Sequence, residues 1–251
     1  MGYTTAMQLR DITLNVFRKR ASGLLWMATQ RLAYPPDFSE DDIAVCRAVR
    51  RQTMTSPERI VALMEAVRHV SRNRVPGAIV ECGVWRGGSM MAVALTLEKL
   101  QDRSRDLLLF DTFEGMSPPG SNDVDLRGTH ADLAAPTGSF SASAEQVAAN
   151  LASTGYPMQR VHLIKGKVED TIPSRAADEI ALLRLDTDWY ESTMHELRHL
   201  YPRLSRGGVL IVDDYGHWKG AKDAVDAYFE QNSPRPLLSR IDYTCRSCVK
   251  P

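Results

Sequence analysis

Two apolar runs in the C-terminal half of the chain end in acids. Gly207-Gly208-Val209-Leu210-Ile211-Val212 closes on the pair Asp213-Asp214, and Ile180-Ala181-Leu182-Leu183-Arg184-Leu185 closes on Asp186-Thr187-Asp188. Short continuous apolar runs of this kind read as strands buried on both faces of a parallel sheet. As neighbours they bring four carboxylates to one edge of that sheet. A carboxylate at the end of a buried strand is costly unless it is hydrated, paired or holding a hard cation. In open α/β sheets the same edge is where ligands bind.

The rest of the chain supports that sheet. Ala78–Cys82, Leu107–Asp111 and Arg160–Ile164 read as three further strands, with helices over 89–100 and 143–154 and after each acid-tipped strand. Leu237–Asp242 and Tyr243–Lys250 read as a terminal antiparallel hairpin. Strand–helix alternation predicts a mostly parallel, doubly wound, Rossmann-like sheet. Upstream, Ser56-Pro57-Glu58 is a helix start, and that helix carries Ile60, Leu63, Met64 and Val67 on one face. The acids of Ser39–Ile43 open another short helix at its favourable end. Residues 1–35 read as one or two basic amphipathic helices, whose better use is packing on the domain or on a sister subunit rather than on a membrane surface. The expected division is therefore a helical extension and lid over 1–70 and a Rossmann-like domain over 71–251, assembled as a homo-oligomer through the N-terminal helices.

Composition narrows the partners. Lys plus Arg and Asp plus Glu are 31 each in 251 residues, so nothing in the charge balance calls for nucleic acid or an anionic membrane. No apolar stretch is long enough for a membrane span and the N-terminus lacks the pattern of a secretory signal. The cysteines are Cys46, Cys82, Cys245 and Cys248. Cys245-Arg-Ser-Cys248 has half-site spacing, yet no second pair exists to complete a zinc centre, and alternation along a strand puts the two on opposite faces. A reducing cytoplasm is the simplest setting.

The run Glu81-Cys82-Gly83-Val84-Trp85-Arg86-Gly87-Gly88-Ser89 joins the first strand to its helix. Glycine there permits close backbone approach, and a helix N-terminus offers free N–H groups. It matches neither the dinucleotide fingerprint nor a phosphate loop. The second strand ends in Asp111, where an acid can accept hydrogen bonds from both ribose hydroxyls. Loop and acid together indicate an adenosine-type cofactor, either a nicotinamide dinucleotide or S-adenosylmethionine. The terminal hairpin favours the second by analogy with class I methyltransferases.

Glu81–Ser89, Asp111-Thr-Phe-Glu-Gly-Met116, Lys165–Pro173, Leu185–Thr193 and Val212-Asp-Asp-Tyr215 together resemble the macrocin and mycinamicin O-methyltransferases, which act on deoxysugars of macrolide antibiotics. The resemblance runs from about residue 34 to 245 and includes Thr53–Arg59, similar to the segment that closes over the cofactor in that family. It implies S-adenosylmethionine as donor, Mg2+ as helper and a glycosylated natural product as acceptor. Cofactor contacts are implied for Thr53, Met54, Glu81, Gly83, Val84, Gly88, Ser89, Asp111, Glu169 and Asp186. Family members often carry an aromatic residue near Val168, which this chain lacks.

The carboxylates then acquire roles. An alcohol attacks a sulfonium methyl only as it loses its proton, and a divalent cation on two adjacent oxygens lowers that pKa and fixes the acceptor. Asp186, Asp213 and Asp214 would supply three oxygens to Mg2+, and Asp188 would take the proton as general base. The plainer use of such acids is to cap the helices that come next. His217 and Trp218 would line the acceptor pocket, or His217 would be a surface histidine; His130 lies in a long polar insertion over 112–142. Methylation of a catechol or another phenol would use the same metal logic. A nicotinamide oxidoreductase would need a pyrophosphate turn that is missing, and a non-catalytic cofactor binder would not need four intact acids.

Overall fold

The computed structural model describes residues 34–131 and 137–251. The basic amphipathic segment, and with it the expected oligomer contact, lies outside the described residues. The chain divides into two compact units, Met1–Ile43 and Ala44–Pro251. The helix that begins at Pro57, which falls within the expected extension over 1–70, lies in the larger unit.

Helix α1 spans Glu40–Val49, opened by Ser39 and Asp42 in a reciprocal cap: Ser39 N–H donates to Asp42 Oδ2 at 2.9 Å and Asp42 N–H to Ser39 Oγ at 3.2 Å. Helix α2, Pro57–Arg72, is capped by Ser56, whose Oγ accepts from the Arg59 N–H at 3.3 Å. Its buried face carries Ile60, Leu63, Met64 and Val67, as the spacing predicts. Each such side chain stabilises the fold by roughly 1.5–3 kcal/mol when fully buried.

The sheet runs in chain order as β1 (Ala78–Cys82), β2 (Leu107–Asp111), β3 (Val161–Lys165), β4 (Ile180–Leu185), β5 (Leu204–Val212), β6 (Ser239–Arg240) and β7 (Arg246–Val249). The spatial order is β3-β2-β1-β4-β5-β7-β6. β1 to β5 pair in parallel; β7 pairs antiparallel with both β5 and β6. Between strands lie α3 (Gly88–Leu100), α4 (Ala144–Ala152), the short α5 (Val168–Thr171), α6 (Tyr190–Leu200) and α7 (Lys219–Gln231). β1 and β4 are buried throughout, which is why they read as unbroken apolar runs. β4 and β5 are neighbours, with Leu185 opposite Val212, so their acidic tips do meet.

β5 begins at Leu204, earlier than the glycine pair suggested. Gly207, at φ 76°, sits inside the strand near a register irregularity against β4, where the glycine pair makes a bulge. The terminal hairpin is shorter than expected, since Asp242–Thr244 form a turn. Cys245 and Cys248 are both free and buried. Cys248 joins the core cluster that contains Leu210 and Phe229, whereas Cys245 faces the acidic edge beside Asp213. Among the described residues no helix is long and apolar enough to cross a membrane.

Candidate active site

The C-terminal edge of the parallel strands opens into a cavity of about 430 Å³. Thr53, Met54, Gly83, Val84, Gly88, Ser89, Asp111, Glu169, Asp186, Asp188, Asp213, Asp214 and His217 all line it. Two singled-out residues do not. Glu81 is 1% exposed behind the wall, and His130 belongs to a β-bridge with Val124 in the insertion.

Local backbone chemistry holds the cofactor loop in place. Asp111 Oδ2 accepts from the N–H groups of Val84 (2.6 Å) and Trp85 (3.0 Å), while Oδ1 accepts from Phe113 N–H at 2.7 Å. Asp111 thus braces the loop itself, and three of its roughly four acceptor positions are already taken. Gly83, at φ 81°, runs against β4 so closely that a Cβ would lie 2.0 Å from the Asp186 carbonyl oxygen. Gly88 is crossed by the chain's own backbone: a Cβ there would lie 2.5 Å from Gln52, and Gly88 N–H donates to the Gln52 carbonyl at 3.0 Å. Its glycine therefore admits the Gln52–Thr55 segment, not only a ligand.

The acids divide into two groups. Asp186, Asp188 and Asp214 offer carboxylate oxygens that all lie within 4.8 Å of one another. Asp213, 4% exposed, turns away and pairs with Arg59 and with Arg184 Nη2 (2.7 Å). The sequence reading grouped Asp213 with Asp186 and Asp214 and set Asp188 apart; in the structure Asp188 stands in the cluster and Asp213 stands with the arginines. Strand alternation does not give this division, because the β4–β5 register sets Asp186 beside Asp213. The four acids lie past the strand ends, where Asp188 adopts φ +69° and the chain no longer alternates.

Arg184 and Arg59 are the functional residues that sequence reasoning passed over. Arg184, 3% exposed inside β4, holds Glu81, Asp186 and Asp213 at 2.7 Å each. Arg59 on α2 bridges Asp213 and Asp242, the latter at 2.9 Å. An arginine inside an otherwise apolar strand was the available signal, because a buried cation demands carboxylate partners.

These guanidiniums leave the site short of positive charge. Burial, followed by the neighbouring acids, pushes Asp214 well above the usual carboxylate range; burial does the same to Asp186 against the pull of Arg184. Burial pushes Asp188 up to about 7, against a hydrogen bond with Asp214. Asp214 Oδ2 is buried with no hydrogen-bond partner. Crowded acids with an orphan oxygen are a donor set of the type hard divalent cations take, so the residues present fit one.

The insertion closes over this edge. Trp189 Nε1 donates to the Ser117 carbonyl at 3.1 Å, and Trp189 meets Trp218 edge to face at 5.2 Å between ring centroids. Ala131, Ala221 and Met116 complete the cluster. Asp123, 2% exposed, accepts from Gly120 N–H (2.6 Å) and from Tyr190 N–H (2.9 Å) at the start of α6. Trp218 and Tyr243 line the cavity with His217, whose ring packs edge-on to Trp218.

Comparison with known proteins agrees with this geometry. Residues 28–249 match the family model described as macrocin-O-methyltransferase (TylF). The 8-demethyl-8-(2,3-dimethoxy-alpha-L-rhamnosyl)-tetracenomycin-C 4'-O-methyltransferase of Streptomyces olivaceus is 33% identical over 94% of this chain and 91% of its own. The demethyldecarbamoylnovobiocin O-methyltransferase of Streptomyces niveus is 34% identical over 78% of each. The solved structure of the O-methyltransferase NovP superposes with a TM-score of 0.71 at 33% identity, covering 79% of this chain and 82% of that one. The strand order, the braced glycine loop and these relatives converge: the chain belongs to the macrocin O-methyltransferase family and is a class I, S-adenosylmethionine-dependent O-methyltransferase.

Proposed function

We propose that this enzyme methylates a hydroxyl of a deoxysugar carried by a secondary metabolite of the macrolide-antibiotic type, with Mg2+ as helper. The observation that carries the proposal is the gathering of Asp186, Asp188 and Asp214 on the wall of the cavity lined by the cofactor loop. Its relatives include enzymes whose names specify a rhamnosyl tetracenomycin and mycinamicin III as acceptors, which supports a glycosylated natural product here.

S-Adenosylmethionine supplies an electrophilic methyl group, and a divalent cation supplies the charge that makes an alcohol acidic. Thr53, Met54, Gly83, Val84, Gly88 and Ser89 would border the donor, with Asp111 toward its ribose and Glu169 toward its adenine. Asp186 and Asp214 would hold the cation, joined by Asp213 if Arg59 releases it. That leaves Asp188 as the base, two residues from Asp186 and with its carboxylate within 4.8 Å of those of Asp186 and Asp214, in position to take the acceptor's proton. Arg184 keeps Asp186 oriented, and the Trp189–Trp218 cluster excludes water.

The test is methyl transfer to deoxysugar glycosides, with and without chelation, beside Asp188→Ala. Turnover that chelation stops and Mg2+ restores, with Asp188→Ala slowed about 10²–10⁴-fold while it still binds S-adenosylhomocysteine, is the expected result. Transfer to a catechol but to no sugar, or full activity in Asp188→Ala, would overturn the acceptor or the base respectively.

A further inference from the structure

Behind the acidic cluster lies a carboxyl that the proposed reaction does not use. Glu196, on α6, is 0% exposed, and its Oε1 accepts from Thr187 Oγ1 at 3.0 Å. Its Oε2 has no hydrogen-bond partner, and no Lys, Arg or His pairs with it among the described residues. The Cys82 thiol at the end of β1 is its other polar neighbour. Such a group is expensive to bury and is retained where it holds something.

What it holds is the residue between two site acids. Thr187 separates Asp186 from Asp188, and in this turn Asp188 adopts φ +69°, a left-handed conformation that side-chain-bearing residues enter only when the surroundings impose it. The turn is fixed on one flank by Asp186 N–H donating to the Cys82 carbonyl at 2.9 Å, and by Trp189 N–H donating to the Thr187 carbonyl at 2.8 Å. Neither bond determines which way the Thr187 side chain points. The bond to Glu196 does: with Thr187 drawn inward, its two neighbours face the cavity together.

We propose that Glu196 is a positioning residue, whose buried carboxyl anchors the Thr187 hydroxyl and thereby presents Asp186 and Asp188 as a pair to the reacting groups. The inference rests on the cation-assisted reading of the site. Burial pushes the Glu196 carboxyl above its usual range, and glutamine, which keeps an acceptor oxygen at the same reach, can replace it.

The experiment compares wild type with Glu196→Leu, Glu196→Gln, Thr187→Val and the Glu196→Leu/Thr187→Val double variant. Read out are the affinity for Mg2+ in the presence of S-adenosylhomocysteine, the affinity for S-adenosylhomocysteine itself, and kcat against KM. Glu196→Leu is expected to weaken Mg2+ binding about 10–100-fold and to lower kcat, with cofactor affinity held within about twofold, whereas Glu196→Gln stays near wild type. The double variant should lose no more than the worse single one, as for partners in one bond. Thr187→Val cuts the same bond from its other end and gives the reading if Glu196→Leu does not fold. Unchanged Mg2+ affinity and kcat in both Glu196→Leu and Thr187→Val, or losses that simply add, would overturn the role of Glu196 alone. A wild-type protein that binds no divalent cation would instead overturn the reading on which it rests.

Discussion

Among individual residues, the site is governed by how few cations serve many acids. Glu81 shows the consequence. Its Oε1 accepts from Arg184 at 2.7 Å, but Arg184 is shared with Asp186 and Asp213, and Glu81 Oε2 is left without a partner. Burial pushes its carboxyl up to about 7, against the pull of Arg184. The folded protein therefore holds this proton more tightly than the unfolded chain. Stability from this group is complete below the unfolded pKa near 4.5, falls as pH rises through about 7, and is constant above. The change amounts to about 3 kcal/mol. Urea denaturation of the cation-free protein is expected to show a midpoint that falls between pH 5 and 7.5, and a shallower fall in Glu81→Gln. An identical fall in that variant would mean that Arg184 keeps Glu81 ionised throughout.

The two pairs of acids were legible as residues, while the pairing of Asp213 with Arg59 and Arg184 was not. Asp186, Asp188, Asp213 and Asp214 stand out because charge ends an apolar run. Their division arises past the strand ends, where the turn at Asp188 breaks the alternation; what alternation along β4 does unite is Asp186 with Arg184, two residues back. Glu196 was not legible. A single acid in an amphipathic helix carries no mark of the hydroxyl it will meet, which comes from a different element.

For the secondary-structure elements, β1, β2 and β4 could be read from sequence because strands covered on both faces must be apolar along their length. β3 starts one residue late because the turn Met158–Arg160 takes its expected first residue. β5 starts early because its glycines make a bulge. The insertion was the least legible stretch: polar, rich in proline and glycine, and without periodicity. Its order comes from contacts distant in sequence, with Asp123 on the start of α6, Leu126 N–H on the His217 carbonyl at 3.1 Å and Ser117 on Trp189. Asp123→Ala removes the hydrogen bonds from Tyr190 N–H and Gly120 N–H and should cost about 1–2 kcal/mol. Hydrogen exchange should quicken across the described insertion up to Ala131, and KM for the acceptor should rise with S-adenosylhomocysteine affinity unchanged. Exchange at the wild-type rate would show that the tryptophan pair alone holds the insertion.

At the scale of the molecule, the fold is a sheet whose topology gathers at one edge what the sequence spreads from Thr53 to Tyr243. β1 and β2 supply the loop and the acid that braces it; β4 and β5 supply the carboxylates; α2 supplies Arg59 and carries the Gln52–Thr55 segment across Gly88. The architecture was legible because alternation of strands and helices leaves few topologies open. The central claim is that this edge, with its excess of carboxylates, is built for a divalent cation. Calorimetric titration of Mg2+ into protein saturated with S-adenosylhomocysteine tests it most directly, with Asp214→Asn and Asp213→Asn measured alongside. A binding isotherm in the wild type that Asp214→Asn abolishes is the predicted result, and the loss or survival of binding in Asp213→Asn tells whether Arg59 gives that carboxylate up. No cation binding in the wild type, with the cofactor bound, would contradict the account.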